Sequence, residues 1–150
     1  MKILVPVDGS AHSLKAIEIA ADFARAQQAE IFVISVTSSI GGMEDHEISP
    51  HMRERHDEIV QKRADDAIQT AREILGKQQV AVKMSQIVST TASVSDAIID
   101  FAESERIDLT VLGSRGLSGS SKFRVGSIAY QVVKYSPCSV YLVKMPAGQG

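Results

Sequence analysis

The sequence predicts an α/β fold: a single open, parallel, five-stranded sheet of order 3-2-1-4-5 with helices on both faces. Three observations carry this. Short apolar runs alternate with amphipathic stretches of helical period along the whole chain, the pattern of successive βα units. The runs assigned to strands 1, 2 and 4 are apolar at consecutive positions, as strands covered on both faces must be. Right-handed crossovers leave few topologies, and the common doubly wound orders place a reversal beside strand 1.

Strand 1 is Ile3 to Val7, broken by Asp8-Gly9-Ser10. Pro6 conflicts locally with this assignment, because a central strand should not lose a ladder donor, unless pairing is already ending there. Helix 1 follows with Leu14, Ile17, Ala21 and Ala24 on one stripe and Ser10 or Ser13 as N-cap. Strand 2 is Ile31 to Val36. Residues 37–52 are polar and contain glycine, and are expected to form a long mobile loop. Helix 2 is expected from about Arg53 to Leu75, with Val60, Ala64, Ala67, Ala71 and Ile74 inward and Gly76 closing it at C′.

Strand 3, about Val80 to Val88, alternates apolar and polar residues, which suits an edge. Helix 3 carries Val94, Ile98, Phe101 and Ala102. Strand 4 is Leu109 to Leu112. Helix 4 is expected from about Lys122 to Tyr135, stopping before Pro137, and strand 5 is Val140 to Val143. The tail from Met145 to Gly150 is expected to fray.

The 150 residues fit one domain, 1–150, able to bury about 68–70% of its unfolded surface. A formal charge of −2 gives no electrostatic reason to expect nucleic acid, and with no Trp and 5% aromatics there is no base-stacking platform. The single cysteine, Cys138, excludes an internal disulfide and a multi-cysteine metal site, and reads as a small buried residue. No apolar stretch reaches the ~20 residues of a membrane span, and the N-terminal run is too short for a signal peptide, so the expected location is cytoplasmic.

The most informative pattern is Gly113, Gly116, Gly126 and Ser127, spaced G-x2-G-x9-G-S. At average glycine usage such a pattern arises in about one random chain of this length in two hundred. It lies between strand 4 and the periodic residues Val125, Ile128, Ala129, Val132 and Val133 of helix 4. A strand, a small-residue loop and a helix start allow backbone N–H groups to meet an anion. Gly113 and Gly116 permit positive φ and close backbone approach, and Gly119 can do the same. Ser127 offers a hydroxyl, and Arg115, Lys122 and Arg124 offer cationic heads. The competing interpretation is a glycine-rich turn serving only strand-to-helix geometry. The pattern is neither G-x4-G-K-[ST] nor the dinucleotide G-x-G-x-x-G after strand 1.

In order 3-2-1-4-5 the loop after strand 1 faces the loop after strand 4 across the switch-point crevice, where open α/β sheets bind ligands. Asp8 ends strand 1 there. Its carboxylate can accept from ribose hydroxyls or hold a metal on a phosphate, or it can serve an Asx turn or an N-cap.

These residues resemble the universal stress protein family. The resemblance rests on Ile3 through Ser10, on Leu112-Gly113-Ser114-Arg115-Gly116-Leu117 through Gly126-Ser127, and on Tyr135-Ser136-Pro137-Cys138-Ser139-Val140. It covers the whole chain and implies a Rossmann-like sheet of the adenine nucleotide alpha hydrolase kind. The glycine spacing is that of the family's ATP-binding members. The resemblance implies that Gly113, Gly116, Gly126 and Ser127, continuing into Ile128, hold phosphates and ribose. It implies that Pro6, Val7 and Asp8 lie beside the adenosine and that the Val36 backbone hydrogen-bonds adenine. Arg115 matches a variable site. The implied ligand is ATP, or AMP or ADP in its place, with Mg²⁺. Two departures are Ala92 and Val94, where the family often has Gly-x-Pro, and Ser139, where it often has Pro.

Other candidates carry less. His46, His51 and His56, near Asp45, Glu47 and Glu54, read as a solvated loop rather than a metal site. His12, near the start of helix 1, reads as a helix-surface residue, the alternative being a side chain that reaches the crevice. The mixed charges of helix 2 are a wet face. No Ser-His-Asp or Cys-His set and no general base can be assigned, so at most weak ATP hydrolysis is expected.

Strand 5 would be a sheet edge, yet Val140, Tyr141, Leu142 and Val143 are apolar toward both faces. Such an edge should be covered, by the short tail or by a second copy. The resemblance also implies a dimer through this strand, and an antiparallel homodimer is expected. The reading is a homodimeric, ATP-binding stress-response regulator with an unidentified downstream protein, passing on nucleotide status through the 37–52 loop. The other readings are a dimer that binds no nucleotide and acts by protein contacts, and a slow nucleotide hydrolase. Gly113→Ala with Gly126→Ala is expected to abolish ATP binding while leaving the fold.

Overall fold

The computed structural model describes residues 1–38, 49–116 and 125–146. The element order is β1 (Lys2–Pro6), α1 (Ala11–Gln27), β2 (Glu30–Ser38), α2 (Pro50–Lys77), β3 (Val82–Thr90), α3 (Val94–Ser104), β4 (Leu109–Gly113), α4 (Ser127–Tyr135) and β5 (Ser139–Val143). The five strands form one parallel sheet of order β3-β2-β1-β4-β5, as the alternation predicts.

Each central strand feeds two cores because its side chains alternate between faces. Ile3, Val5, Ile31, Val33, Leu109 and Val111 pack with α1 and α2. Leu4, Phe32, Ile34 and Leu112 pack with α3 and α4. The outer strands differ. No residue of β3 is fully buried, and its register shifts between Ile31 and Phe32, where Lys83 is skipped in the pairing. This is the interrupted pairing of an edge strand.

The pairing at the sheet's centre opens the crevice. β1 pairs β2 from Lys2 to Pro6, but it pairs β4 only at Ile3 and Leu4. The Val7 N–H donates to Ile34 O at 2.8 Å. Alternation then turns the nitrogen of Pro6 toward β4, where no pairing remains. Pro6 therefore costs no ladder bond, which resolves the conflict it poses in the sequence.

The helix ends depart from expectation in instructive ways. α1, α2 and α3 begin at Ser10, Ser49 and Ser93, whose side chains accept from Ser13, Met52 and Asp96 N–H. Ser10, not Ser13, is thus the N-cap of α1. α2 starts at Pro50 and β2 continues to Ser38, so both ends of the loop expected over 37–52 are regular structure. Residues 39–48, with His46, lie outside the described residues. Gly76 does not close α2. Gln79 takes the left-handed position at φ 60, with Val80 N–H on Leu75 O at 2.9 Å and Gln79 N–H on Gly76 O at 3.0 Å. That is a Schellman ending. It claims Val80 for the cap and delays β3 to Val82. The start expected for helix 4, near Lys122, lies outside the described residues, and α4 is described from Ser127.

The inner stripe of α2 is Ala64, Ala67, Ala71 and Leu75, with Val60 and Ile74 only half-buried. Among the described residues, no helix is long and apolar enough to cross a membrane.

Candidate functional site

A cleft of about 440 Å³ opens at the C-terminal ends of β1 and β4. Its size lies within the range of ligand pockets. The end of β1 supplies Pro6, Val7 and Asp8, and the end of β2 supplies Val36. The chain leaving β4 supplies Gly113, Arg115 and Gly116, and the start of α4 supplies Gly126, Ser127 and Ile128. The structure thus brings together the ten residues that the resemblance assigns to a nucleotide site. Gly119, Lys122 and Arg124 lie outside the described residues.

The post-β4 chain is held by three close approaches. A Cβ on Gly113 would stand 2.8 Å from His12 Cβ and 3.0 Å from His12 C. A Cβ on Gly116 would stand 2.7 Å from Asp8 Oδ2. The Gly126 N–H donates to Ser114 O at 2.7 Å, which ties the start of α4 to the end of β4. Among the described glycines only Gly9 has positive φ, at 83°. Gly113 and Gly116 are therefore required by close approach and not by left-handed backbone, which corrects half of the sequence argument. The same closeness explains His12. It is 6% exposed and not on the helix surface, because the bare Gly113 lets the first turn of α1 settle onto β4.

Asp8 serves the turn and faces the cleft at once. Oδ1 accepts the Ser10 N–H at 2.9 Å, an Asx turn, and Oδ2 points at Gly116. Ser13 Oγ braces the same turn, donating to Ser10 O at 3.1 Å. Asp8 is the one carboxylate lining the cleft among the described residues. A carboxylate beside bound phosphates is the donor set Mg²⁺ uses when it keeps waters and phosphates as its other ligands, so the residues present fit that ion.

α4 opens differently from the other three helices. Its N-cap, Gly126, has φ −72 and ψ 164, the extended conformation of the serine caps, but no side chain to cap with. The first amides of α4 face the cleft with the positive end of the helix behind them. The cleft is also lined by apolar side chains, Val36, Val94, Ile98 and Leu112. Val94, one of the two departures after strand 3, is the first residue of α3 and forms part of this wall. The amides suit an anion and the apolar side chains a flat apolar group.

Sequence reasoning placed Val94 at the crevice rim only as a departure from the family pattern, and missed Ser13, Ile98, Leu112, Ser114, Val125 and Ala129 as lining residues. Ser114 carried a signal in its position between two motif glycines. Ile98 carried none, because only the crossover packing of α3 brings it there.

Elsewhere, a wider concavity of about 980 Å³ follows α2 from Pro50 to Asp66 and is lined by that helix alone among the described residues. His51 and His56 are exposed on α2. At the sheet edge, Val143 is buried at 1% exposure and Val140 and Leu142 are half-buried against the α3–α4 core. Tyr141 is 41% exposed and lies edge-on to Phe23, with ring centroids 5.5 Å apart. The strand's apolar residues are thus largely used by its own chain, leaving its outer backbone and Tyr141 at the edge. Cys138 is half-buried beside Thr110 and Ser136.

A family model described as the universal stress protein family matches residues 1–144. The universal stress protein YxiE of Bacillus subtilis is 29% identical over 150 residues, covering 95% of this chain and 98% of that protein. Universal stress protein UspA from Lactobacillus plantarum superposes with a TM-score of 0.81 at 25% identity, covering 96% of this chain and 97% of the other. The universal stress protein from Archaeoglobus fulgidus in complex with dAMP superposes at 0.71 and 21% identity, covering 96% and 98%. The fold is also shared, at 20% identity, with a universal stress protein in complex with cAMP and with an Arabidopsis thaliana family member with AMP bound. Their TM-scores are 0.69 and 0.67, and they cover 97% and 98% of this chain and 98% and 93% of theirs.

Proposed function

The chain belongs to the universal stress protein family, and from that premise we propose that it binds an adenine nucleotide in the β1–β4 cleft. One observation carries the reading. The amides at the start of α4 lack a side-chain cap and face a cleft that is also lined by apolar side chains. Phosphates suit the first feature and a purine suits the second. Relatives of the same fold in complex with dAMP and cAMP, and with AMP bound, support it.

In this reading the first-turn amides of α4 and the Ser127 hydroxyl hold phosphate. Gly113, Gly116 and Gly126 let the chain close around it, and Arg115 adds charge at the rim. Pro6, Val7 and Asp8 line the ribose side, and Val36 meets adenine. ATP is the ligand favoured by the glycine spacing, with Mg²⁺ neutralising phosphate charge beside Asp8 when bound. The single domain works as a cytoplasmic homodimer joined through β5, reporting nucleotide status to a downstream protein.

A thermal-shift screen of AMP, ADP and ATP, each with and without Mg²⁺, tests the reading. A ligand at one hundred times its Kd stabilises by about 2.7 kcal/mol, so a rise of several degrees is expected with at least one nucleotide. No rise with any nucleotide at millimolar concentration would contradict it.

A further inference from the structure

We propose that Ser13 is a positioning residue of the cleft, holding the Asp8 carboxylate so that one of its oxygens is presented to the hydroxyls of a bound sugar. The inference rests on the nucleotide reading above, which sets Asp8 on the ribose side, and adds to it the group that fixes Asp8 there. Ser13 is 4% exposed and lines the cleft. Its hydroxyl lies inside the turn between β1 and α1, accepting the Asp8 N–H at 3.4 Å and donating to Ser10 O at 3.1 Å.

This hydroxyl is not needed to start a helix. α2 and α3 also open on a serine N-cap, and the residues in the place of Ser13 are Met52 and Asp96. Those two residues give their N–H groups to the cap, and their side chains take no part. What the start of α1 has in addition is Asp8. Its Oδ1 accepts the Ser10 N–H at 2.9 Å, the bond that a glutamate in the place of Ser13 would make in a capping box. The turn is thus closed by the Asp8 side chain and braced by the Ser13 hydroxyl.

The consequence falls on Oδ2. With Oδ1 spent in the Asx turn, Oδ2 is the oxygen left to a ligand. It is turned toward Gly116 across the cleft, where a Cβ would stand 2.7 Å from it. Gly9, at φ 83, has no side chain with which to restrain the turn. Restraint comes from Ser13, which ties the main chain on both sides of Gly9, at Asp8 and at Ser10. An ionised carboxylate accepts a hydroxyl more strongly than a neutral group does. An acceptor held in advance also loses little side-chain freedom when the sugar arrives.

Calorimetric titration of wild type and Ser13→Ala, without Mg²⁺, with AMP and with 2′,3′-dideoxy-AMP tests this. The second ligand keeps the base and the phosphate and lacks both sugar hydroxyls. Wild type should bind AMP about ten- to a hundredfold tighter than the dideoxy ligand, the range for a hydrogen bond to a charged group. In Ser13→Ala that preference should shrink by about threefold or more, while the Kd for the dideoxy ligand stays within about twofold of wild type. In an Asp8→Ala background, Ser13→Ala should leave the AMP affinity within about twofold, because the two residues act as one unit. A further loss there would mean that Ser13 meets the ligand itself, and would overturn the proposal. So would an unchanged preference in Ser13→Ala, equal losses for both ligands, or equal binding of the two ligands by wild type. If Ser13→Ala is poorly folded, Ser13→Cys, close in size and a weaker donor, decides on the same ratio. Failure of wild type to bind AMP at all would instead overturn the nucleotide reading on which this one stands.

Discussion

His12 and Gly113 touch so closely that an alanine at 113 would put its Cβ 2.8 Å from the His12 Cβ and 3.0 Å from the His12 carbonyl carbon. The first glycine of the G-x2-G-x9-G-S pattern is thus a packing residue between α1 and β4. Main-chain atoms cannot swing aside as a long side chain can, so the contact is rigid.

Gly113→Ala should therefore cost about 1–3 kcal/mol of stability, the usual penalty of overpacking. That corresponds to a fall in Tm of roughly 3–10 °C for a domain of this size. Pairing it with Gly126→Ala, as the sequence alone recommends, would confound binding with folding. Thermal unfolding of the unliganded single variant checks the point, and an unchanged Tm would show that α1 yields freely.

Gly126→Ser makes the sharper test of the site. The backbone at 126 already has the conformation of the three serine caps, and a Cβ there meets nothing nearer than Ser114 O at 3.4 Å. A serine should cap the α4 amides from within the chain. Unliganded stability should stay level or rise by a few tenths of a kcal/mol, while AMP and ATP affinity should fall severalfold. Paired melting and titration curves read both, and unchanged affinity would separate these amides from the ligand.

Gln28, Gln79 and Arg106 hold left-handed φ of 52–60° after α1, α2 and α3. Left-handed backbone costs a non-glycine residue about 1–2 kcal/mol, partly offset by the greater freedom of glycine in the unfolded chain. Gln79→Gly should therefore stabilise by about 0.5–1 kcal/mol, or about 2–3 °C. Denaturant unfolding with an unchanged m-value is the check.

Self-association through β5 predicts that Tyr141→Lys shifts the protein toward monomer at micromolar concentration in sedimentation. Lysine at 140 or 142 would be a poorer probe, because both side chains pack on the α3–α4 core. A dimer unaffected by Tyr141→Lys and by a proline at exposed Ser139 would direct the search to another surface, such as Tyr130, Val133 and Tyr135 of α4.

The sheet order and the cleft were legible because periodicity and crossover handedness act along the chain. Ile3 through Val7 could only be a buried strand, and the two unusual loops had to meet beside it. What stayed hidden depends on tertiary contact. No local pattern marks His12 as buried, since its burial follows from the missing Cβ of Gly113. Gly76 was the natural helix stop by composition, yet α2 runs on to Lys77 and a glutamine, Gln79, takes the left-handed position.

The most direct measurement is an amide-resolved NMR titration of ¹⁵N-labelled protein with AMP and with Mg-ATP. Saturable shifts concentrated on the backbone N–H groups of Ser127, Ile128 and Ala129 are predicted. Binding that leaves these three amides unmoved while shifting residues elsewhere, or no saturable shift at all, would contradict the account.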